Sequence, residues 1–423
     1  MEYQNLLKDK KIAVAVTGSI AIYKTIELIR IFIKSGASVR VVMSEDAKKF
    51  ITPLTFEAIS SNVVLHNETE SWANDNNHIG LASWADLFVV APASANTINK
   101  LSNGIADNLL LQVAIACNAP KVLAPAANTN MINSPITLAS LKMLKLNGYV
   151  IADSRVGMLA CKVEGKGAMA EPKEIFYVCA RELLKDEFYR YRPVVITGGG
   201  TIERVDEVRF ISNFSSGKMA EAFVKEAYFK GADVCYITTK ENHDMPLGVH
   251  TIKVESAKEM QEMILESIKE AKKGVMTKPT LLDDSRPSLK KKKPFFFSIA
   301  AVSDYGVEFP QNKKIKKESL GEKWQLELRK NPDILKEIED SEIFKIGFKA
   351  EFDKENALES AKKMVVEKNL DAVCLNVLGD EVKFGSNESK IELITKNSQK
   401  NFGFAPKIKI ADEILEFLKE LEK

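Results

Sequence analysis

The sequence predicts an α/β protein of two doubly wound, Rossmann-like domains, and three observations carry that prediction. Through the first half, short runs of β-formers alternate with longer helical patterns, the signature of parallel strands joined by right-handed crossovers. The alternation starts afresh at RPVVITGGGT, which sets a domain boundary near residue 190 and divides the chain into 1–190 and 191–423. Both halves also open alike, with a strand, a Thr-Gly turn (Thr17-Gly18, Thr197-Gly198) and a helix ending in Gly-Ala-x-Val. A chain of 423 residues has room for two such domains, each with its own core.

In the first half the strands are KIAVAV (11–16), SVRVVM, LFVVA, KVLAP and GYVIA, and the helix AIYKTIELIRIFIKSG closes at Gly36. A charged helix, EPKEIFYVCARELLKDEFYRY, ends the half. In the second half RPVVIT, GADVCYIT, FFFSIAAV, FKIGF, DAVCLNVL and KIELIT read as strands, and ADEILEFLKELEK as a last amphipathic helix. Only this half inserts a long stretch, TIERVDEVRFISNFSSGKM, after its glycine turn. Between Lys273 and Phe295, three prolines and four consecutive lysines read as a solvated surface loop.

The 60 basic and 58 acidic residues nearly cancel, so bulk charge gives no reason to expect a nucleic-acid partner. No run approaches the roughly 18 apolar residues of a membrane span, and the expectation is a cytoplasmic, soluble protein. The five cysteines, Cys117, Cys161, Cys179, Cys235 and Cys374, lack any zinc-like spacing and fit a reduced compartment. Cys117, Cys235 and Cys374 sit in apolar runs as core residues do. Cys161 differs, because GMLACKVEGKGAM offers a thiol no core to fill.

Three strand ends of the first half carry hydroxyls, amides and backbone N–H groups. TGSIAIYK sets Gly18, Ser19 and Ile20 at a helix N-terminus, where free N–H groups and the helix dipole favour a phosphate. Alone, this turn is equally a plain tight turn, since it lacks the G-x-G-x-x-G fingerprint. MSEDA adds Ser44, and APASANT adds Ser94, Asn96 and Thr97. With no carboxylate for a ribose diol, the set suits a mononucleotide better than a dinucleotide.

APASANT, with PAANTNM and the upstream NHIGLASWAD, resembles the family of flavin mononucleotide (FMN)-dependent cysteine decarboxylases, over residues 10 to 185. ACKVEGKGAM resembles that family's substrate flap. The resemblance implies FMN as cofactor, His78 as the base near the thiol, Asn128 as the group that orients the carboxylate, and Cys161 as a proton donor. On residue type alone these would read as a structural histidine, a turn asparagine and a passive loop thiol. The chain departs from the family pattern at Ala127, where methionine is usual, and in the flap at Lys162 and Ala168.

In the second half ITGGG lets backbone N–H groups approach an anion, and SSGKM starts a helix with hydroxyls and Lys218. Neither forms a G-x-x-x-x-G-K-S/T loop, and a purely structural turn fits the glycines as well. Together with AAVSDY, KIKK, KNPDIL and GFKAE, these motifs resemble phosphopantothenate-cysteine ligases over 191–423. The two halves in this order resemble bacterial bifunctional coenzyme A biosynthesis proteins. That resemblance implies 4′-phosphopantothenate, cysteine and CTP as substrates, with Mg2+ beside the triphosphate and metal ligands unassigned. It implies Lys314 and Asn213 in catalysis. For CTP it implies Ser298, Ala300, Asp304, Lys314, Asn331, Pro332, Asp333, Ile334, Phe348 and Lys368. Relatives often carry two lysines four residues apart before the NLDAV strand, whereas this chain has Lys368 but Met364, leaving Lys362 or Lys363 as stand-ins. It further implies a homo-oligomer with trimeric contacts in the first half and dimeric contacts in the second, a dodecamer if both sets close.

Overall fold

The computed structural model describes residues 3–158, 164–241, 244–276, 289–316, 322–338, 341–352, 355–379 and 385–422. Two compact units divide the chain, the first ending at Leu184 and the second beginning at Lys185.

In the first unit β1 (Lys11–Val16) buries every residue but its first. It leads into α1 (Ile22–Lys34), whose buried Ile22, Thr25, Leu28, Ile29 and Phe32 recur at helical spacing and form one apolar stripe. The chain continues through β2 (Ser38–Met43), α2 (Pro53–Ser60) and α3 (His78–Trp84) to β3 (Leu87–Ala93), which is buried along its whole length. A strand covered on both faces needs such an unbroken apolar run. Then come α4 (Ala95–Ser102), α5 (Leu109–Ala116), β4 (Lys121–Pro125), α6 (Thr129–Ile132), α7 (Pro135–Leu146) and β5 (Val150–Ile151). The sheet runs β2-β1-β3-β4-β5, all parallel. Its order reverses at β1, so a crevice opens beyond the carboxyl ends of β1 and β3. An antiparallel hairpin, β6 (Arg155–Met158) with β7 (Glu164–Ala168), precedes α8 (Pro172–Leu184), which packs on α1.

The sequence predicts a helix running on to Tyr191, yet α8 stops at Leu184. Asp186 Oδ1 accepts from Tyr189 N at 2.8 Å, and the fully buried Tyr189 donates from its hydroxyl to Leu415 O at 2.6 Å. Aromatic burial in the second unit thus overrides the helical pattern of the charged residues.

The second unit opens with β8 (Pro193–Gly198) and a small hairpin, β9 (Ile202–Arg204) with β10 (Phe210–Ser212), built from the inserted stretch. Next come α9 (Lys218–Phe229), β11 (Asp233–Thr238), β12 (His250–Lys253) and α10 (Ala257–Ala271). Two short hairpins succeed them, β13 (Val275–Met276) with β14 (Leu289–Lys290), and, after β15 (Phe295–Ser298), β16 (Tyr305–Val307) with β17 (Leu328–Lys330). The unit ends with α11 (Ile334–Glu337), β18 (Phe344–Glu351), α12 (Ala357–Glu367), β19 (Ala372–Val377), β20 (Glu388–Ile394), β21 (Gln399–Pro406) and α13 (Lys407–Leu421).

Its sheet runs β12-β11-β8-β15-β18-β19-β20-β21, parallel as far as β19 and antiparallel at the last two. From β12 to β19 this is the doubly wound nucleotide-binding order, with its switch point between β8 and β15. Phe295 and Phe297 face α9, where Phe223 stacks 5.2 Å from Phe297, while Phe296 enters the core on the α10 and α12 side. Sequence pattern misses β21, because Gln399, Lys400 and Asn401 lie exposed on a sheet edge and give no apolar alternation.

Candidate active sites

A cavity of about 740 Å³ opens at the carboxyl ends of β1, β3 and β4. Gly18, Ser19, Ile20, Ser44, Ser94, Asn96 and Thr97 all line it, and so does Asn128. Buried Thr17 ties two strand ends together, donating to Pro92 O at 2.7 Å and accepting from Ser94 N at 3.0 Å. Thr25 of α1 adds a bond to Ala91 O at 2.8 Å. These bonds hold APASANT against the start of α1.

The serines first of all accept from nearby backbone N–H groups, and of the three only Ser94 is a helix cap. Ser94 Oγ accepts from Thr97 N at 3.3 Å and begins α4, Ser19 Oγ accepts from Ala21 N at 3.4 Å, and Ser44 Oγ accepts from Ala47 N at 3.3 Å. A hydroxyl that accepts from the backbone still has a proton to donate, so Ser19 and Ser44 remain donors to an anion. Charges at the rim pair with one another. Glu171 holds both Lys24 (2.9 Å) and Arg155 (2.7 Å), and Lys100 pairs with Asp107, whose carboxyl this contact holds below its ordinary range. The cavity is therefore faced mostly by neutral hydrogen-bonding groups, with Ile20, Met131, Met158 and Met169 as apolar wall.

The β6–β7 hairpin covers one side. Ala127 N donates to Gly167 O at 3.1 Å, and Gly167, at φ +146°, lies where any Cβ would come within 2.2 Å of Ala127 O. Only glycine permits that approach. Ala127 and Ala168, the two alanine departures, both line the cavity. Residues 159–163, with Cys161 and Lys162, lie outside the described residues.

Asn128 caps α6, its Oδ1 accepting from Asn130 N at 2.9 Å, which fixes the orientation of its amide at the cavity wall. His78 is placed elsewhere. It opens α3 with Nδ1 3.4 Å from Glu70 Oε1 and its ring edge-on to Trp72 at 5.5 Å, and it does not line the cavity. Asn108, which caps α5 and also lines the cavity, belongs to none of the motifs singled out in the sequence. Its signal is an amide just before the apolar run LLLQVAIA. Cys117, Cys179 and Cys374 are buried, and burial pushes the thiols of Cys179 and Cys374 well up, as inert core residues require.

The second unit has a cavity of about 750 Å³ beyond β8, β15, β18 and β19. Ser298, Ala300, Asp304, Asn331, Pro332, Asp333, Ile334, Phe348 and Lys368 all line it. Thr197 Oγ1 accepts from Ile299 N (3.1 Å) and Ala300 N (3.2 Å), and Thr201 Oγ1 from Ser303 N (2.9 Å). Asn331 closes the far end, its side-chain amide donating to Ser303 O at 2.9 Å and its backbone N to Asp304 O at 2.8 Å. Gly199, at φ +85°, allows Thr239 to pack where a Cβ would lie 2.2 Å from its hydroxyl. Beside it begins α9, without a side-chain cap and with Ser215 and Ser216 facing the cavity.

Two features make this site unlike the first. The Ser303 hydroxyl is buried, belongs to a residue that lines the cavity, and has no hydrogen-bond partner among the described residues. The wall also carries Lys330, Lys336, Lys349, Lys368 and Lys407. Lys368 pairs with Asp333 at 2.9 Å, while burial and then the Lys218 ammonium hold Lys407 below the ordinary lysine range. Among the described residues no group of three His, Cys, Asp or Glu is placed to hold a metal on its own.

Asn213 and Lys314 do not line this cavity. Asn213 touches its wall, donating from Nδ2 to Val302 O at 3.0 Å. Lys314 sits in an exposed segment tied to the turn between β9 and β10, where Ile315 N donates to Asp206 Oδ2 at 3.2 Å. Burial would raise the Asp206 carboxyl, but bonds from Val208 N, Ile315 N and Arg209 N bring it below its ordinary range. Met364 lines the cavity, whereas Lys362 and Lys363 do not, and Lys363 instead lies 3.6 Å from Glu367.

A family model described as Flavoprotein matches residues 1–184, and one described as DNA/pantothenate metabolism flavoprotein C-terminal domain matches 189–279 and 275–421. The chain is 38% identical over 417 residues to the coenzyme A biosynthesis bifunctional protein CoaBC of Haemophilus influenzae, covering 97% of each. It is 35% identical over 415 residues to the protein of that name from Borreliella burgdorferi, covering 97% of this chain and 99% of that one. Among solved structures it is similar to the FMN binding protein AtHal3, at 34% identity over 40% of this chain and 95% of that one, with a TM-score of 0.36. No described helix is long and apolar enough to cross a membrane.

Proposed function

The chain belongs to the family of bifunctional coenzyme A biosynthesis proteins, with a flavoprotein decarboxylase half and a ligase half, and from that premise we propose how its two cavities divide the chemistry. Residues 191–423 join 4′-phosphopantothenate to cysteine at the expense of CTP, and residues 1–190 decarboxylate the product to 4′-phosphopantetheine. The observation that carries this reading is the sorting of the motif residues, eight into one cavity and nine into the other.

A carboxylate does not form an amide in water unactivated, because oxide is too poor a leaving group. In the second cavity the carboxylate of 4′-phosphopantothenate attacks the α-phosphate of CTP and expels pyrophosphate, and the cysteine amine then attacks the acyl carbon of the acyl cytidylate, forming the amide and releasing CMP. Lysines of the wall and the N-terminus of α9 offset the charge on the phosphate oxygens. Phe348 and the Ser298–Asp304 loop hold the base and ribose. Asn213 acts on the acyl cytidylate, and Lys314 reaches the phosphates from its exposed segment. With no three-ligand cluster among the described residues, Mg2+ enters bound to the triphosphate, as that ion commonly does.

The first cavity suits FMN, with hydroxyls and two helix N-termini for the phosphate and a methionine-lined wall for the ring. Flavin supplies a reversible two-electron oxidation of the substrate thiol, which gives the departing CO2 an electron sink. Asn128 orients the substrate carboxylate with a neutral amide, so that the carboxylate is held but not stabilised as a salt. Cys161 donates the returning proton. His78 takes the thiol proton, and because it lies outside its own chain's cavity, a second copy must present it. The trimeric contacts expected of this half supply that copy, dimeric contacts in the ligase half would complete a dodecamer, and the enzyme works in the cytoplasm.

The test is a product assay on the purified chain with 4′-phosphopantothenate, cysteine and CTP. Yellow protein, equal release of pyrophosphate and CO2, and formation of 4′-phosphopantetheine are expected. A colourless protein that releases no pyrophosphate overturns the reading.

A further inference from the structure

We propose that Lys349 is a triphosphate-binding cation of the second cavity, in the place that Met364 leaves without one. The inference rests on the CTP reading of that cavity. Residues two apart on a strand share a face, and their neighbours point the other way. On β18, Phe348 faces α9, with its ring 5.3 Å from that of Phe223. Gly347 faces α12, since the Cβ it lacks would come within 2.9 Å of Met364 Cε. Lys349 shares the face of Gly347, and it lines the cavity together with Met364 and Lys368. Strand β18 thus delivers an ammonium to the wall where α12 presents a thioether.

The local pairing of Lys349 leaves it able to serve. Its ammonium lies 3.0 Å from Glu351 Oε1 on the same face, and a quarter of its side chain is exposed. Glu351 also accepts from Ser360 Oγ of α12 at 3.4 Å. The pair lies between neighbours on one strand and keeps some exposure, so a triphosphate with several charges can draw the lysine across. The lysines beside Met364 in sequence cannot do the same. Neither Lys362 nor Lys363 lines the cavity, because both project from α12 away from the face that Met364 and Lys368 share.

The experiment compares Lys349→Met, Lys349→Arg and the double variant Lys349→Met with Met364→Lys, in the full chain, with CTP and CMP as probes. Lys349→Met is expected to raise the KM for CTP about tenfold, the loss of one charge-assisted bond. Affinity for CMP and the KM for cysteine should stay within about twofold, because only the outer phosphates are affected. Lys349→Arg should keep the native KM, and Met364→Lys should return the double variant toward it. Unchanged flavin content and thermal transition report that each variant is folded. A Lys349→Met chain with the native KM for CTP, or an equal loss of CMP affinity, overturns the assignment. A native chain that binds no CTP overturns the reading of the cavity itself.

Discussion

The two cavities are almost equal in size, about 740 and 750 Å³, but the second carries more lysines in its wall. The first ties its serines to backbone N–H groups and pairs rim charges among themselves through Glu171 and Asp107. The second keeps a buried hydroxyl without a partner among the described residues and sets five lysines in its wall. A cofactor that stays bound needs fixed, neutral donors that cost nothing to reorganise. A triphosphate that is cleaved and released needs cations that follow its charge. Volume alone does not separate the two ligands, whereas donor chemistry does.

The largest effect expected from breaking this contrast comes from placing a charge where the first cavity holds a neutral amide. Asn128→Asp keeps an oxygen for the cap bond from Asn130 N, so α6 should persist. A carboxylate facing the substrate's own carboxylate should lower CO2 formation about a hundredfold or more, the scale of losing one positioned donor. CTP-driven pyrophosphate release should be untouched, and a parallel fall in both activities would show that the sites are not separable.

A smaller effect is expected from the opposite change in the second cavity. Lys368→Met removes an ammonium that pairs with Asp333 at 2.9 Å, and should raise the KM for CTP about tenfold. Decarboxylation of preformed phosphopantothenoylcysteine should proceed at the native rate in the same preparation.

The smallest effect concerns stability and distinguishes the units without any substrate. Glu226 of α9 is buried beside Asp412, Lys230 and Glu416. Its carboxyl is pushed up to about 8, first by burial and then by the Asp412 carboxylate, against the pull of Lys230. The folded chain therefore keeps this proton where the unfolded chain has released it. Stability from this group is lost as pH rises from about 4.5 to about 8 and changes no further above that. Glu226→Gln should raise the thermal midpoint of the ligase half at pH 8 by about 3 °C, and leave it nearly unchanged at pH 4.5. Calorimetry at the two pH values checks the sign.

Much of this contrast was legible in the sequence, for a physical reason. Parallel strands buried on both faces leave unbroken apolar runs, and the residues just past the end of each run lie at the ligand end of the sheet. That is why Ser19, Ser44 and Ser94 group together on sequence alone, whereas Asn128 and the set of Ser298, Asp304 and Asn331 follow only from the family resemblance. The second duty of Ser94 as a cap was not legible, since a Ser-x-x-Thr spacing fits either use. His78 shows a different limit. Its place on α3, away from its own cavity, depends on the path of the chain, which local sequence does not encode. Lys349 was hidden because its relation to Met364 needs strand register and helix packing together. The edge strand β21 and the early end of α8 were missed where exposed polar residues and buried aromatics broke the expected patterns.

Whether two chemistries run in two separate cavities is decided by product accounting in a His78→Asn chain. Given 4′-phosphopantothenate, cysteine and CTP, this variant should release pyrophosphate at the native rate and accumulate phosphopantothenoylcysteine. Its CO2 release should fall by about a hundredfold to ten-thousandfold, the range for a lost general base. Native CO2 release would contradict the assignment of the base, and a matching fall in pyrophosphate would contradict the separation of the two sites.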